Sequence, residues 1–154
     1  MKKSILFFMM IACCFVFLLT GCTKDEIIEN YNEVLQEAGD GCLTKDSKLK
    51  GERSFGSDSY IGNYSADYDG FTGTETLFGG TALEWNDGNK IEITCTLNIT
   101  DGTAKVVFES GTDDPQVLIE SSGDYSETIE LPSASNYIAV EGDGFTGSIT
   151  LEIK

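Results

Sequence analysis

The side chains of this sequence that could do chemistry come from a narrow set. Histidine is absent, which removes the Ser–His and Cys–His pairs that activate a nucleophile and the commonest metal ligand. Carboxylates are abundant, with 26 Asp and Glu against ten Lys and Arg. A paired-carboxylate glycosidase is the one enzyme such residues could build. No pair stands apart, however, because most acidic residues sit at turns or on outward strand positions, where solvation is their ordinary role. Neither a Gly-x-Ser-x-Gly elbow nor a phosphate-binding glycine loop occurs. The expectation is a protein that is not an enzyme.

The same residues can hold ligands without catalysis. Asp67 and Asp69 with Glu75, or Asp113 with Asp114, offer the hard oxygens that calcium prefers. Asp67 and Asp69 are the metal candidates, and structural calcium is the only cofactor considered. Sugar rings need exposed aromatic faces with polar groups nearby. Tyr60 and Tyr64 share one face of an alternating segment, and Trp85 is the sole tryptophan; each is either a stacking platform or a core side chain. Cys42 and Cys95 would pair outside the cytoplasm, closing a loop worth about 4 kcal/mol in the chain-entropy account. Alternatively, Cys95 is a small buried apolar group on the inward face of its strand. A formal charge of −16 opposes phosphate binding, so no nucleic-acid partner is expected.

Stepping outward from these residues, the N-terminus supplies an address. Lys2 and Lys3 precede an apolar run from Ile5 to Leu19, long enough for a signal-peptide core and short for a membrane span. The run ends in Leu19-Thr20-Gly21-Cys22, which resembles the lipobox of bacterial lipoproteins. That resemblance implies cleavage after Gly21, lipidation of Cys22, and an extracytoplasmic protein held to the membrane by acyl chains. Two chains on one cysteine would anchor it stably. Residues 1–21 are thus read as a lipoprotein signal peptide.

Residues 22–53 read as the lipidated cysteine, a helical stalk and a basic linker. Ile27, Ile28, Tyr31, Val34, Leu35 and Ala38 fall on one face of a short amphipathic helix. Thr23 with Glu26 forms a capping box, and Gly39 stops the helix. This face packs on the domain, supports a spacer, or meets a partner helix. Lys45, Lys48, Lys50 and Arg53 then supply half the basic charge beyond the cleavage point, and a solvated linker is the expected reading.

Residues 54–154 change to period two. Ile91, Ile93, Cys95, Leu97 and Ile99 alternate with Glu92, Thr94, Thr96 and Asn98, a half-buried strand. Asp101-Gly102 reads as a two-residue hairpin turn into the strand after it. Further short strands, separated by Asp-Gly and Gly-Asp turns, predict an all-β fold. The architecture expected is a jelly-roll-like β-sandwich of about eight strands. Asp69-Gly70-Phe71-Thr72-Gly73 returns as Asp143-Gly144-Phe145-Thr146-Gly147, which predicts two equivalent corners with a phenylalanine beneath each.

The stretches FGSDSYIGNYSADYDGFTG, ITCTLNITDGTAKVVF and NYIAVEGDGFTGSITLEI resemble a domain of small, functionally uncharacterised lipoproteins of anaerobic Gram-positive bacteria. The likeness implies the same address and fold and carries no site residues. The sequence therefore predicts a lipid-anchored extracytoplasmic binding protein, with carbohydrate the leading ligand class. The alternative is a structural lipoprotein of the envelope that engages a protein partner.

Overall fold

The computed structural model describes residues 41–82 and 88–154. The expected signal peptide and stalk helix, Cys22 and Trp85 lie outside the described residues. The expected all-β fold is observed. Six strands follow one 3-10 turn at Asp46–Lys48: β1 (Glu52–Phe55), β2 (Gly62–Thr81), β3 (Lys90–Ser110), β4 (Gln116–Ile119), β5 (Gly123–Glu130) and β6 (Ser135–Ile153). All pairings are antiparallel. The sheet order is β1-β2-β6-β3-β4, and β5 also pairs with β3.

Three of these strands are far longer than the short ones the turn signals predict, because each runs through a bend. Tyr64 Oη lies 2.8 Å from Glu75 Oε2 within β2, whereas eleven residues of straight strand would separate them by about 36 Å. The sheet therefore folds over on itself. Gly62–Tyr68 pairs with Gly147–Ile153, and Thr74–Thr81 with Ser135–Glu141. In one layer β3 continues the sheet through Lys90–Leu97 to β5, and in the other through Val106–Phe108 to β4. The result is a β-sandwich made from one continuous sheet.

Alternation fills the space between the layers. Tyr64, Ile93, Cys95, Leu97, Ile149 and Leu151 from one layer join Leu77, Val106, Phe108, Ile138 and Val140 from the other in a single core. Outward positions such as Glu92, Thr94, Thr96 and Asn98 are exposed, as the period-two pattern predicts.

The two repeated corners meet each other. Phe71 stands opposite Phe145 in the β2–β6 register. The Gly70 N–H donates to Thr146 Oγ1 at 3.0 Å, and the Gly144 N–H donates to Thr72 Oγ1 at 2.9 Å. Gly70 and Gly144 adopt matching φ values of +62° and +61°, where a side chain would be strained. Thus the echo in the sequence is a reciprocal pair with local two-fold character. Only Phe145 is fully buried; Phe71 is half-buried, since β2 lies nearer the sheet edge than β6.

The Asp101-Gly102 hairpin is corrected: β3 continues unbroken from Lys90 to Ser110. This dipeptide carries β3 through the same bend as its neighbours. A Cβ on Gly102 would lie 2.3 Å from the Gly144 carbonyl oxygen, so the close crossing requires glycine. The expected linker also differs. The Thr44 N–H donates to the Thr76 carbonyl, and the Thr76 N–H donates to Thr44 Oγ1, both at 2.9 Å. Residues from Thr44 onward are therefore built against β2.

Candidate functional site

The tyrosine platform is corrected first. Tyr60 and Tyr64 are 3% and 1% exposed and belong to the core; Tyr60 precedes β2, and Tyr64 lies in its first half, where the even-numbered side chains are buried. Tyr64 instead serves a buried carboxylate that sequence reasoning missed. Glu75 is 2% exposed. Its Oε2 accepts from the hydroxyls of Tyr64 (2.8 Å) and Tyr68 (2.6 Å), and its Oε1 accepts from the Lys50 N–H (2.7 Å). A carboxylate in the interior needs such donors on both oxygens. Burial, the dominant cause, pushes both phenols well above their ordinary range, and contact with the Glu75 carboxylate adds to it. This arrangement is sealed, so it braces the fold and presents nothing to solvent.

Glu75 therefore turns away from Asp67 and Asp69, which are exposed on β2, and the three do not form a calcium site. Among the described residues no group of three or more Cys, Asp or Glu side chains converges. The Cys42–Cys95 pairing is corrected as well, since both thiols are free. Cys42 is exposed ahead of Thr44, whereas Cys95 points into the core between Tyr125 and Leu151 in register. Burial first, and then the Asp124 carboxylate, push the Cys95 thiol up to about 12, which leaves it protonated and unreactive.

The described surface offers a different place for a ligand. An open cleft of about 530 Å³ lies between the segment Leu43–Asp46 and the loop after β1, lined by Phe55 through Ser59 and by Arg53. Phe55 is 44% exposed, unusual for so large an apolar side chain. Its ring is fixed from behind, edge-on to Phe78 at 5.9 Å between centroids. The Arg53 guanidinium carbon lies 4.7 Å from the same ring centroid, within cation–π range.

Arg53 is the other residue that builds this site. Its side chain is only 4% exposed. Nη1 donates to the Leu77 carbonyl at 2.7 Å, and Nη2 donates to the Thr44 carbonyl at 2.8 Å and to Asp46 Oδ1 at 2.6 Å. These bonds tie the Thr44–Asp46 wall and β1 to β2. Arg53 Nε and Ser59 Oγ are buried without a partner. Asp58 shapes the opposite wall, where Oδ1 accepts from the N–H groups of Tyr60 (2.9 Å) and Ile61 (3.2 Å). This is the turn-capping role of a short carboxylate. An apolar face ringed by hydroxyls, carboxylates and a guanidinium suits a ligand that is itself half apolar and half polar.

No family model matches the chain, and no curated protein matches it. Among solved structures it is similar to a pilus protein of Bacillus endospore appendages, at 15% identity over 72% of this chain and 96% of that one, with a TM-score of 0.37. It is also similar to a carbohydrate-binding module of a Cellvibrio mixtus lichenase in complex with cellotriose. There the identity is 11% over 68% of this chain and 86% of that one, with a TM-score of 0.36. A Phanerochaete chrysosporium exo-β-1,3-galactanase shares 14% identity over 68% of this chain at a TM-score of 0.36, and the chain spans 27% of that enzyme.

Proposed function

We propose that this chain is a lipid-anchored extracytoplasmic binding protein whose sandwich takes carbohydrate in the Phe55 cleft without transforming it. The observation that carries the reading is the exposed Phe55 ring, 44% accessible, held rigid in a cleft with Asp46, Ser57 and Asp58 in its walls. Sugar C–H faces stack on aromatic rings, while their hydroxyls need donors and acceptors at the margins. The two carboxylates of the cleft already serve structural bonds to Arg53 and to the Tyr60 and Ile61 amides, which favours holding a ligand over cleaving it. The address rests on the lipobox-like Leu19-Thr20-Gly21-Cys22.

The test uses the full-length chain extracted in detergent and a broad polysaccharide panel with calcium present. Saturable binding to one polymer class, weakened about tenfold (about 1.4 kcal/mol) by Phe55→Ala, is expected. Absence of binding across the panel by the folded chain overturns the reading. Incorporation of a labelled fatty acid that is abolished by Cys22→Ala checks the anchor.

A further inference from the structure

Charge is distributed unevenly on this molecule, and the unevenness coincides with the cleft. The sequence has a net charge of −16. Yet of the seven Lys and Arg among the described residues, four lie within nine consecutive positions: Lys45, Lys48, Lys50 and Arg53. The ion pairs among the described residues engage Arg53, Lys105 and Lys154, so Lys45, Lys48 and Lys50 are exposed cations with no acidic partner among the described residues. Lys45 and Arg53 offset Asp46 and Asp58 in the cleft walls. Lys48 and Lys50 follow on the same segment. A negative ligand therefore meets repulsion over most of this protein and net attraction here.

Arg53 specifies the kind of negative ligand. Its Nη2 already holds a carboxylate oxygen, that of Asp46, at 2.6 Å, although the Asp46 side chain is 77% exposed. Asp46 can give way to a ligand carboxylate because its exposed side chain rehydrates on leaving, while the buried Arg53 keeps a carboxylate partner throughout. A guanidinium, planar and always charged, is the side chain best matched to a carboxylate. Phe55 beside it supplies the surface for a sugar ring.

Resting on the carbohydrate reading of this cleft, we infer that its ligand is an acidic glycan whose sugars carry carboxylates. A ring stacks on Phe55, a carboxylate engages Arg53, and Lys45 and Lys48 attract the neighbouring sugars.

The experiment compares polygalacturonate, alginate and hyaluronate with their methyl-esterified forms, using the full-length chain in detergent. Esterification removes the charge and keeps the sugar backbone. At least one acid polymer should bind more than about tenfold tighter than its ester. That preference should collapse in about 1 M salt, where the screening length is about 3 Å. Arg53→Ala removes wall contacts and risks the fold, so the decisive variant is the double substitution Lys45→Glu with Lys48→Glu, at two exposed positions. It should weaken the acid polymer about tenfold and shrink its preference over the ester by a similar factor. Equal binding of acid and ester, or indifference to the double substitution, overturns the acidic-glycan inference while the carbohydrate reading stands. Binding of neutral glycans alone does the same. Failure of every glycan, acidic or neutral, overturns both.

Discussion

Glu75 and Arg53 are two charged side chains withdrawn from water among the described residues, and they join the same two stretches of chain. Glu75 binds the Lys50 amide, while Arg53 binds the carbonyl of Leu77. Both pin the same N-terminal segment to the second half of β2. Their surroundings differ. Glu75 has both oxygens filled by donors of the fold itself, whereas Arg53 lines an open cleft, lies over the exposed Phe55 ring and pairs with an exposed carboxylate. A buried charge with every bond satisfied inside the fold is a brace, and one that borders solvent through an exposed partner is a candidate for binding.

That contrast can be broken most forcefully at Glu75. Glu75→Ala leaves two phenols and an amide without their acceptor and should cost about 3 kcal/mol of stability in urea unfolding. Glu75→Gln, which retains one carbonyl oxygen, should cost less. A loss below about 0.5 kcal/mol for the alanine variant, the range of ordinary surface substitutions, would show that the interior carboxylate is not a brace.

High pH should act on the same interior. Tyr64 and Tyr68 have an ordinary value of 10.0 and Cys95 one of 9.0, and burial raises all three in the folded state. The native protein then keeps protons that the unfolded chain releases. Stability is whole below about pH 9 and falls as pH rises through 10 and beyond. Tyrosinate absorbance should show Tyr64 and Tyr68 titrating only together with unfolding. Free titration of every tyrosine near pH 10 in the folded protein would contradict the sealed interior.

Phe55 should behave in the opposite sense to Glu75. Phe55→Ala removes a side chain that is already 44% exposed and should cost only about 1 kcal/mol of stability, while glycan binding falls. A stability loss matching that of Glu75→Ala would make Phe55 a core residue. The gentlest probe is thiol alkylation of the native protein, in which Cys42 should react at once and Cys95 only after denaturation. Reaction of both at similar rates would mean that the core opens readily.

The sequence made half of this contrast legible. Alternation from Ile91 to Asn98 predicts both the strand and its buried face, and the repeated Asp-Gly-Phe-Thr-Gly predicts two corners. Asp101-Gly102 misleads because the same dipeptide serves a hairpin turn and a bend inside a long strand; only the neighbouring strands decide between them. Glu75 did carry a signal. It shares strand parity with Leu77 and so points inward, but an acidic residue beside turn glycines reads as solvated. The Phe55 cleft had no local pattern at all. Its walls are Leu43–Asp46 and Phe55–Ser59, brought together by Arg53 reaching across to β2, and the first wall reads as a linker in isolation.

The long bent strands have a consequence for how such a chain is made. β6 lies between β2 and β3 in the sheet, yet every other strand precedes it in the chain. Gly62 waits for Ile153, and Thr81 for Ser135. Because β2, β3 and β6 each contribute to both layers, neither layer can be finished early and neither can serve as a template for the other. Contacts so distant along the chain also form slowly. A polypeptide built this way stays open during synthesis and closes only when its central strand arrives.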